Sequence, residues 1–404
     1  MLNENPFNTG SPARGEGFLE RKTIIHHIDS FIKKKNQFSF LIFGQRRIGK
    51  TSLLKKIQDD LDLHEIVLPV YFNLQDKTNC ELHRLLFEIA GKIVSNLELK
   101  MNLNAESFSP DRASSYFQKK FIPNIIKSLP ERKQLLLLFD EFDVFGLAED
   151  MENESIPDTM ASKQLIPYFA NLIEAIQANK YPVKFIFAIG LNYKDLNPGR
   201  FEQLMKYGTQ EELSYFSEEE TQAVLKMTNS SIPFDTGAMA EIYSLTFGHP
   251  YFTQGLASKS FAAAVKMKSS HVTRDIVRQE LMTAINSYSS GVYWIWDSLS
   301  DNDQIILYIM ALVKEENHLI TIDSIWEKAA SLDLTTVIVK LTHTIDRLKI
   351  FKFITDNNQG EYEFCGEFIR KWIIVNISEA EIMKLRDKIV RLMDCHVEDV
   401  VEYT

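Results

Sequence analysis

The chain has 404 residues, of which 45% are hydrophobic and 25% charged, with 16 glycines and 12 prolines. That length exceeds what one hydrophobic core usually serves, so two or three domains are expected, and the composition excludes a disordered or fibrous chain. A formal net charge of -10 gives no global attraction to a phosphate backbone, which makes nucleic acid a secondary expectation. Cys80, Cys365 and Cys395 are odd in number and form no CxxC pair. They suggest neither a disulfide framework nor a zinc site, and they fit a reducing, cytoplasmic setting. The opening MLNENPFNTGSPARGEG lacks the apolar stretch of a signal peptide. No apolar run approaches the ~20 residues of a membrane span, so no membrane partner is expected.

The first strand pattern is Phe38 to Phe43, followed by Gly44-Gln45-Arg46-Arg47-Ile48-Gly49-Lys50-Thr51 and a helix with Leu53, Leu54, Ile57 and Leu61 on one face. This is GxxxxGK[ST] in full, in its required setting of strand, glycine loop and helix. Backbone N–H groups of such a loop wrap phosphates, Lys50 reaches the β and γ oxygens, and Thr51 places its hydroxyl on Mg²⁺. The stretch from Gly44 through Ser52 is the candidate cofactor-binding segment, with ATP and Mg²⁺ as the expected cofactors.

Next come a strand at Ile66 to Phe72, a helix at Glu81 to Leu97, a helix at Ser109 to Ser128 interrupted near Pro123, and an apolar strand at Leu135 to Phe139. That strand delivers Asp140 and Glu141 to its C-terminal end. Asp140 is the candidate to hold Mg²⁺ through water and Glu141 to orient and deprotonate an attacking water; Asp143 is a spare, structural acid. After an acidic loop, a helix at Ser162 to Ala178 leads to a strand at Val183 to Ile189, a loop ending near Gly199, and a short strand at Glu211 to Leu213. Asn192, just past the fourth strand, is a catalytic candidate for hydrogen bonding to the γ-phosphate or the water, with a plain loop asparagine as the alternative. Asn192-Tyr193-Lys194-Asp195 differs from a guanine-reading Asn-Lys-x-Asp because its lysine is one place late, which favours ATP over GTP.

Alternating strands and helices to about residue 213 predict an α/β parallel sheet with helices on both faces. From there Ser217 and Glu220 form a capping box, and helices dominate to about 290. Three further helix patterns, a strand at Ile350 to Ile354, an Asp356-Asn357-Asn358-Gln359-Gly360 turn and a strand at Glu361 to Phe364 then suggest a winged helix. The expected divisions are an ATPase core at 1–213, a helical lid at 214–290, a winged-helix domain at 291–376 and a C-terminal helix at 377–404.

With these motifs the chain resembles the AAA+/STAND group of P-loop ATPases, specifically the archaeal-type branch with a C-terminal winged helix. Asn5-Pro6-Phe7 and Phe18-Leu19-Glu20-Arg21 match its N-terminal segment and adenine-pocket motif, with Glu20 in place of the usual glycine. The resemblance implies that Leu19 and Arg21 contact adenine. It also implies that Gly248-His249-Pro250 is the lid motif in which His249 and Pro250 lie near the β-phosphate; a turn that starts a helix is the plain alternative. Tyr362-Glu363-Phe364 and Phe368-Ile369-Arg370-Lys371-Trp372 resemble the close of the winged domain. Arg200 is a candidate arginine finger, with a solvated loop arginine as the favoured alternative, and Arg46 and Arg47 are expected to face solvent or a neighbouring subunit.

The resemblance implies a regulatory switch ATPase that couples nucleotide state to an unidentified protein partner or to self-association. A DNA-associated ATPase of the replication-initiator or transposition-regulator type is the alternative, and a nucleotide-binding scaffold the third. The helix expected at Leu334 to Lys349 offers Lys340, Arg347 and Lys349 beside Asp333 and Asp346, a weakly basic surface, so DNA is not favoured. Its Val337, Leu341, Ile345 and Leu348 stripe reads as core, and the C-terminal Ile382, Leu385, Ile389 and Leu392 stripe as packing onto the winged domain, with pairing to another helix as the alternative.

Overall fold

The computed structural model describes residues 5–7, 21–60, 63–145, 156–190, 198–226, 232–338, 340–357 and 359–401, the side chains of 198–200 and 394–401 excepted. The chain divides into two compact units. One is Ser11–Ser214, here the sheet unit; the other, the helical unit, combines Met1–Gly10 with Tyr215–Thr404.

In the sheet unit, helix α1 (Lys22–Lys33) precedes strand β1 (Ser39–Gly44), helix α2 (Lys50–Asp59), strand β2 (Val67–Asn73) and helix α3 (Leu82–Asn96). Strands β3 (Gln134–Asp140), β4 (Val183–Gly190) and β5 (Gly208–Glu212) follow. They form a five-stranded sheet in the order β2-β3-β4-β1-β5, and every pairing is parallel. Such a sheet is covered on both faces, which is why β3 and β4 read as unbroken apolar runs. The register sets Phe72 beside Phe139 and Phe139 beside Phe187. The three rings stack across the strands at centroid distances of 4.9 and 5.6 Å. Helix Ala161–Asn179 covers this face and lays Phe169 edge-on to Phe139 at 4.9 Å.

A buried lysine ties α1 to the sheet. Lys184 on β4 donates from Nζ to the carbonyls of Phe31 at 3.1 Å, Lys34 at 2.7 Å and Gln37 at 2.5 Å. These are carbonyls at or just past the C-terminal end of α1, which a cation complements. Burial pulls the Lys184 ammonium down to about 8.

Several element boundaries differ from the sequence expectation. Residues 191–197 of the loop expected to end near Gly199 lie outside the described residues, and a helix that the sequence reading did not give, Pro198–Met205, follows, with Pro198 supplying its pre-set first turn. The last strand begins at Gly208 and ends at Glu212, earlier than expected. The 109–128 segment is irregular ahead of Pro123: Ala113–Tyr116 and Ile122–Ser128 are α-helical, joined by a π turn at Phe117–Phe121. Proline has no N–H to continue the regular ladder, and the preceding turn widens.

The helical unit opens on the expected capping box. Ser217 N–H donates to Glu220 Oε2 at 2.8 Å, and Glu220 N–H donates to Ser217 Oγ at 3.1 Å. Helices Glu218–Lys226, Thr236–Thr246, Pro250–Lys266, Arg274–Ser287 and Ser289–Trp296 follow. Asn5 joins them from the start of the chain, donating from Nδ2 to the carbonyl and hydroxyl of Ser258 at 2.9 and 3.0 Å. Phe7 meets Phe234 edge-on at 5.6 Å.

Next come helices Asp301–Glu315, Ile322–Ser331 and Leu341–Ile350 and an antiparallel hairpin of β6 (Ile354–Asp356) and β7 (Tyr362–Phe364), with Ile320 bridging to Tyr362. Two expectations are corrected here. The helix expected from Leu334 begins at Leu341, because Thr335–Val337 forms a separate 3-10 turn. Ile350 ends that helix and is not part of a strand, so the hairpin starts only at Ile354. Val337, Leu341, Ile345 and Leu348 are all buried, as their spacing predicts. Helix Glu379–Val401 buries Ile382 and Ile389 and is held by Arg386 to Asp333 at 2.8 Å and Lys388 to Asp301 at 2.9 Å, while Leu392 is exposed.

The stacked phenylalanines make a stability prediction. Phe139→Ala removes the middle ring of the stack and its contact with Phe169, and is expected to cost about 3–5 kcal/mol. Urea unfolding read by the far-ultraviolet signal should show the shift; an unchanged midpoint would place the core of the sheet unit elsewhere.

Candidate functional site

The C-terminal edge of a parallel sheet is where the strands of an α/β unit present their loops to a ligand. β1 ends there at Gly44, whose backbone runs so close to the Leu213 carbonyl that a side chain at Gly44 would collide with it. The loop then takes two left-handed residues, Arg47 with φ 64° and Gly49 with φ 104°. Between them Ile48 is buried and pins the loop to the core. Gly49 faces open space, so its glycine answers to backbone conformation. The loop runs straight into α2, whose first turn carries no acidic residue, leaving its N–H groups and positive dipole end to an anion.

Lys50 is the first residue of α2 and is buried, and its Nζ donates to the carbonyls of Gly44 at 2.8 Å and Gln45 at 3.0 Å. Burial pulls the ammonium below its ordinary value, while the Asp143, Glu141 and Asp140 carboxylates pull the other way. The ammonium thus stands among three acids and is held by the loop. Thr51 and Ser52 follow on α2, both half-buried, and Gln45 is buried. Arg47 is exposed, whereas Arg46 is half-buried and close enough to act electrostatically on both Lys50 and Glu141. Arg21 lies behind the loop, donating from Nη2 to the Ile48 carbonyl at 3.2 Å.

Asp140 ends β3 and is 1% exposed. Its Oδ2 accepts from the Tyr71 hydroxyl at 2.8 Å, and its Oδ1 accepts from the Glu141 N–H at 3.1 Å. Glu141 adopts the left-handed backbone, φ 55°, and turns the chain so that Phe142 returns to the core against Phe187 at 4.5 Å. Burial first, then the Asp143 carboxylate, pushes the Glu141 carboxyl above its ordinary range. The Asp143 carboxylate lies against the end of β4: a Cβ on Gly190 would stand 2.6 Å from its Oδ2. The spare acid of the sequence is therefore part of the cluster, and Gly190 is the residue that makes room for it.

Leu19 and Asn192 lie outside the described residues, as does the Arg200 side chain. His249 and Pro250 belong to the helical unit. The His249 ring is 1% exposed, stacked on Phe252 at 4.1 Å and edge-on to Tyr215 at 4.9 Å, and Pro250 starts the Pro250–Lys266 helix. Gly248 is dictated by packing, since it has φ 73° and a side chain there would strike the Phe216 carbonyl.

Sequence reasoning missed Tyr71. Its signal was present: a tyrosine in an otherwise apolar strand needs a partner for its hydroxyl. Among the described residues, no group of three or more His, Cys, Asp or Glu could hold a metal by itself. The oxygen donors Thr51 and Asp140 suit Mg²⁺, an ion bound by one or two protein ligands together with substrate phosphates.

Two solved structures share the fold of this chain. A Walker-type ATPase of Pyrococcus abyssi superposes with a TM-score of 0.61 at 15% identity, over 91% of this chain and 99% of that one. The ORC2 protein of Aeropyrum pernix, in its ADPNP–ADP complexes, superposes with a TM-score of 0.58 at 13% identity, over 98% and 99% of the two chains. The fold is that of the AAA+ P-loop ATPases. No protein-family model matches the sequence, and no curated protein matches it. The AAA+ fold is thus shared with these structures at an identity where the fold alone carries over. Among the described residues, no helix is long and apolar enough to cross a membrane.

Proposed function

We propose that the chain is an ATP-hydrolysing regulatory ATPase, cytoplasmic, that couples its nucleotide state to binding of a protein partner or to self-association. One observation carries the reading: a complete phosphate loop, a buried Asp140 and the half-buried Glu141 that follows it stand at the ends of strands of one parallel sheet, with the Lys50 ammonium within electrostatic reach of both acids. In this reading Lys50 exchanges the carbonyls of Gly44 and Gln45 for phosphate oxygens. Thr51 and Asp140 hold Mg²⁺, which supplies charge neutralisation at the phosphates. Glu141 takes the proton of the attacking water, and its raised proton affinity suits a general base. Asn192 is retained as the proposed γ-phosphate contact and Leu19 with Arg21 as the adenine side.

The switch rests on chain topology. The sheet unit, Ser11–Ser214, is inserted into the sequence of the helical unit, which holds residues from both ends of the chain. A change in the sheet unit is therefore passed on through two covalent connections. For a ligand to shift an equilibrium between arrangements it must bind them differently, and a γ-phosphate present in ATP and absent in ADP provides that difference.

Lys50→Ala is expected to lose ATP binding in calorimetry, since the loop alone does not offset the β/γ-phosphate charge. Glu141→Gln is expected to keep binding and lose most phosphate release. Wild-type turnover in Glu141→Gln would move the base to another residue, and no turnover in the wild-type chain with any partner would leave a nucleotide-binding scaffold.

With ATP, the Glu141→Gln protein should differ from its ADP form in limited proteolysis around residues 214–300. Identical digestion and identical scattering profiles in the two states would remove the switch.

A DNA-associated role is the competing reading. We read the three helices and hairpin from Asp301 to Phe364 as a winged helix, and the charges of its third helix are committed internally. Arg347 makes paired hydrogen bonds to the buried Asp303, at 2.9 Å from Nε and 2.7 Å from Nη2, and Lys349 donates to Asp356 at 2.6 Å. Duplex DNA should accordingly not bind this chain tightly at physiological salt. Nanomolar, salt-sensitive binding in a mobility-shift assay would reverse the order of the two readings.

A further inference from the structure

Asp140 is held by two donors of different origin. The Glu141 N–H on Oδ1 is local and comes with the turn, but the Tyr71 hydroxyl on Oδ2 comes from the neighbouring strand β2. A carboxylate has about four acceptor positions, so these two bonds fix its plane and leave one lone pair on each oxygen for water. Among the described residues, the donor that remains without Tyr71 is the Glu141 N–H on Oδ1.

Tyr71 is itself held from a third element. The Lys55 ammonium on α2 stands over its ring, 3.2 Å from the centroid. A cation on the ring face is attracted by the aromatic quadrupole and draws electron density from the phenol, which makes the O–H a stronger donor. Lys55 is four residues after Thr51, so the two project from one face of α2. The series Lys55, Tyr71, Asp140 therefore spans from the helix that carries the Thr51 hydroxyl to the strand that carries the carboxylate.

We propose that Tyr71 is a positioning residue for the divalent cation, orienting Asp140 and, through Lys55, setting its spacing from Thr51. The inference rests on the ATP·Mg²⁺ reading of the site. The plain role of a buried tyrosine, filling the interior with its hydroxyl satisfied by whichever acceptor is near, predicts no effect specific to the metal, and this separates the two roles.

The experiment measures the affinity of the β,γ-imido analogue of ATP by calorimetry, in EDTA and in saturating Mg²⁺, for wild type and Tyr71→Phe. Loss of one hydrogen bond behind a metal ligand is expected to cut the Mg²⁺-dependent gain roughly tenfold while the affinity in EDTA stays at the wild-type value. In an Asp140→Asn background the same change should have no further effect on the gain, because the group it orients is altered. An equal Mg²⁺ gain in wild type and Tyr71→Phe overturns the positioning role and leaves the site reading intact. Equal loss of affinity with and without Mg²⁺ also overturns it, in favour of a structural role. Absence of any analogue binding by the wild type overturns the ATP reading, and the positioning role with it.

Discussion

Phe142 is an apolar residue placed two positions after the end of a central strand, and burying it requires the chain to reverse within one residue. That residue is Glu141, which takes the left-handed backbone with φ 55°, a conformation that costs a non-glycine residue about 1 kcal/mol or more. Burying a phenylalanine returns about 1.5–3 kcal/mol, and Phe142 also meets Phe187 and Phe169 at 4.5 and 6.0 Å. The core therefore sustains the strain. It also fixes the direction in which the two acids leave the strand, so the chemistry at the sheet edge depends on aromatic packing beneath it.

Charge is distributed differently in the two units. In the sheet unit the Lys50 ammonium stands among three carboxylates, and burial raises the Glu141 proton affinity while it lowers that of Lys50. Such a cluster is costly to hold together by itself and becomes favourable when an anion and a cation enter together. In the helical unit two arginines withdrawn from solvent are paired already. Arg370 is bonded to Glu367 and Glu315, and Arg347 to Asp303, so these groups hold helices in place.

What was legible in the sequence is what is encoded by adjacent residues. The phosphate loop is eight consecutive residues whose geometry follows from its glycines and the following helix. Asp140 and Glu141 stand out because five apolar residues precede them. The capping box at Ser217 and Glu220 spans one turn. What was not legible depends on partners far apart in the chain: Tyr71 and Asp140 are separated by 69 residues, and Arg347 and Asp303 by 44. The Pro198–Met205 helix was hidden for a different reason. Asn-Pro-Gly reads locally as a turn, and the preference of proline for the first helical turn outweighs it. At the hairpin, Ile350 and Ile354 look alike in sequence, and only the end of the preceding helix shows which of them is in a strand.

The bond from Asn5 to Ser258 joins residues 253 positions apart. During synthesis the first residues leave the ribosome long before their acceptor exists, and the entire sheet unit emerges between the two. That unit has its own core and can close while Asn5 and Phe7 still lack Ser258 and Phe234. Docking of the first residues is therefore a late event in the assembly of the chain. A nascent polypeptide stalled before residue 258 would hold a finished sheet unit while still presenting to chaperones an apolar Phe7 that the folded chain conceals.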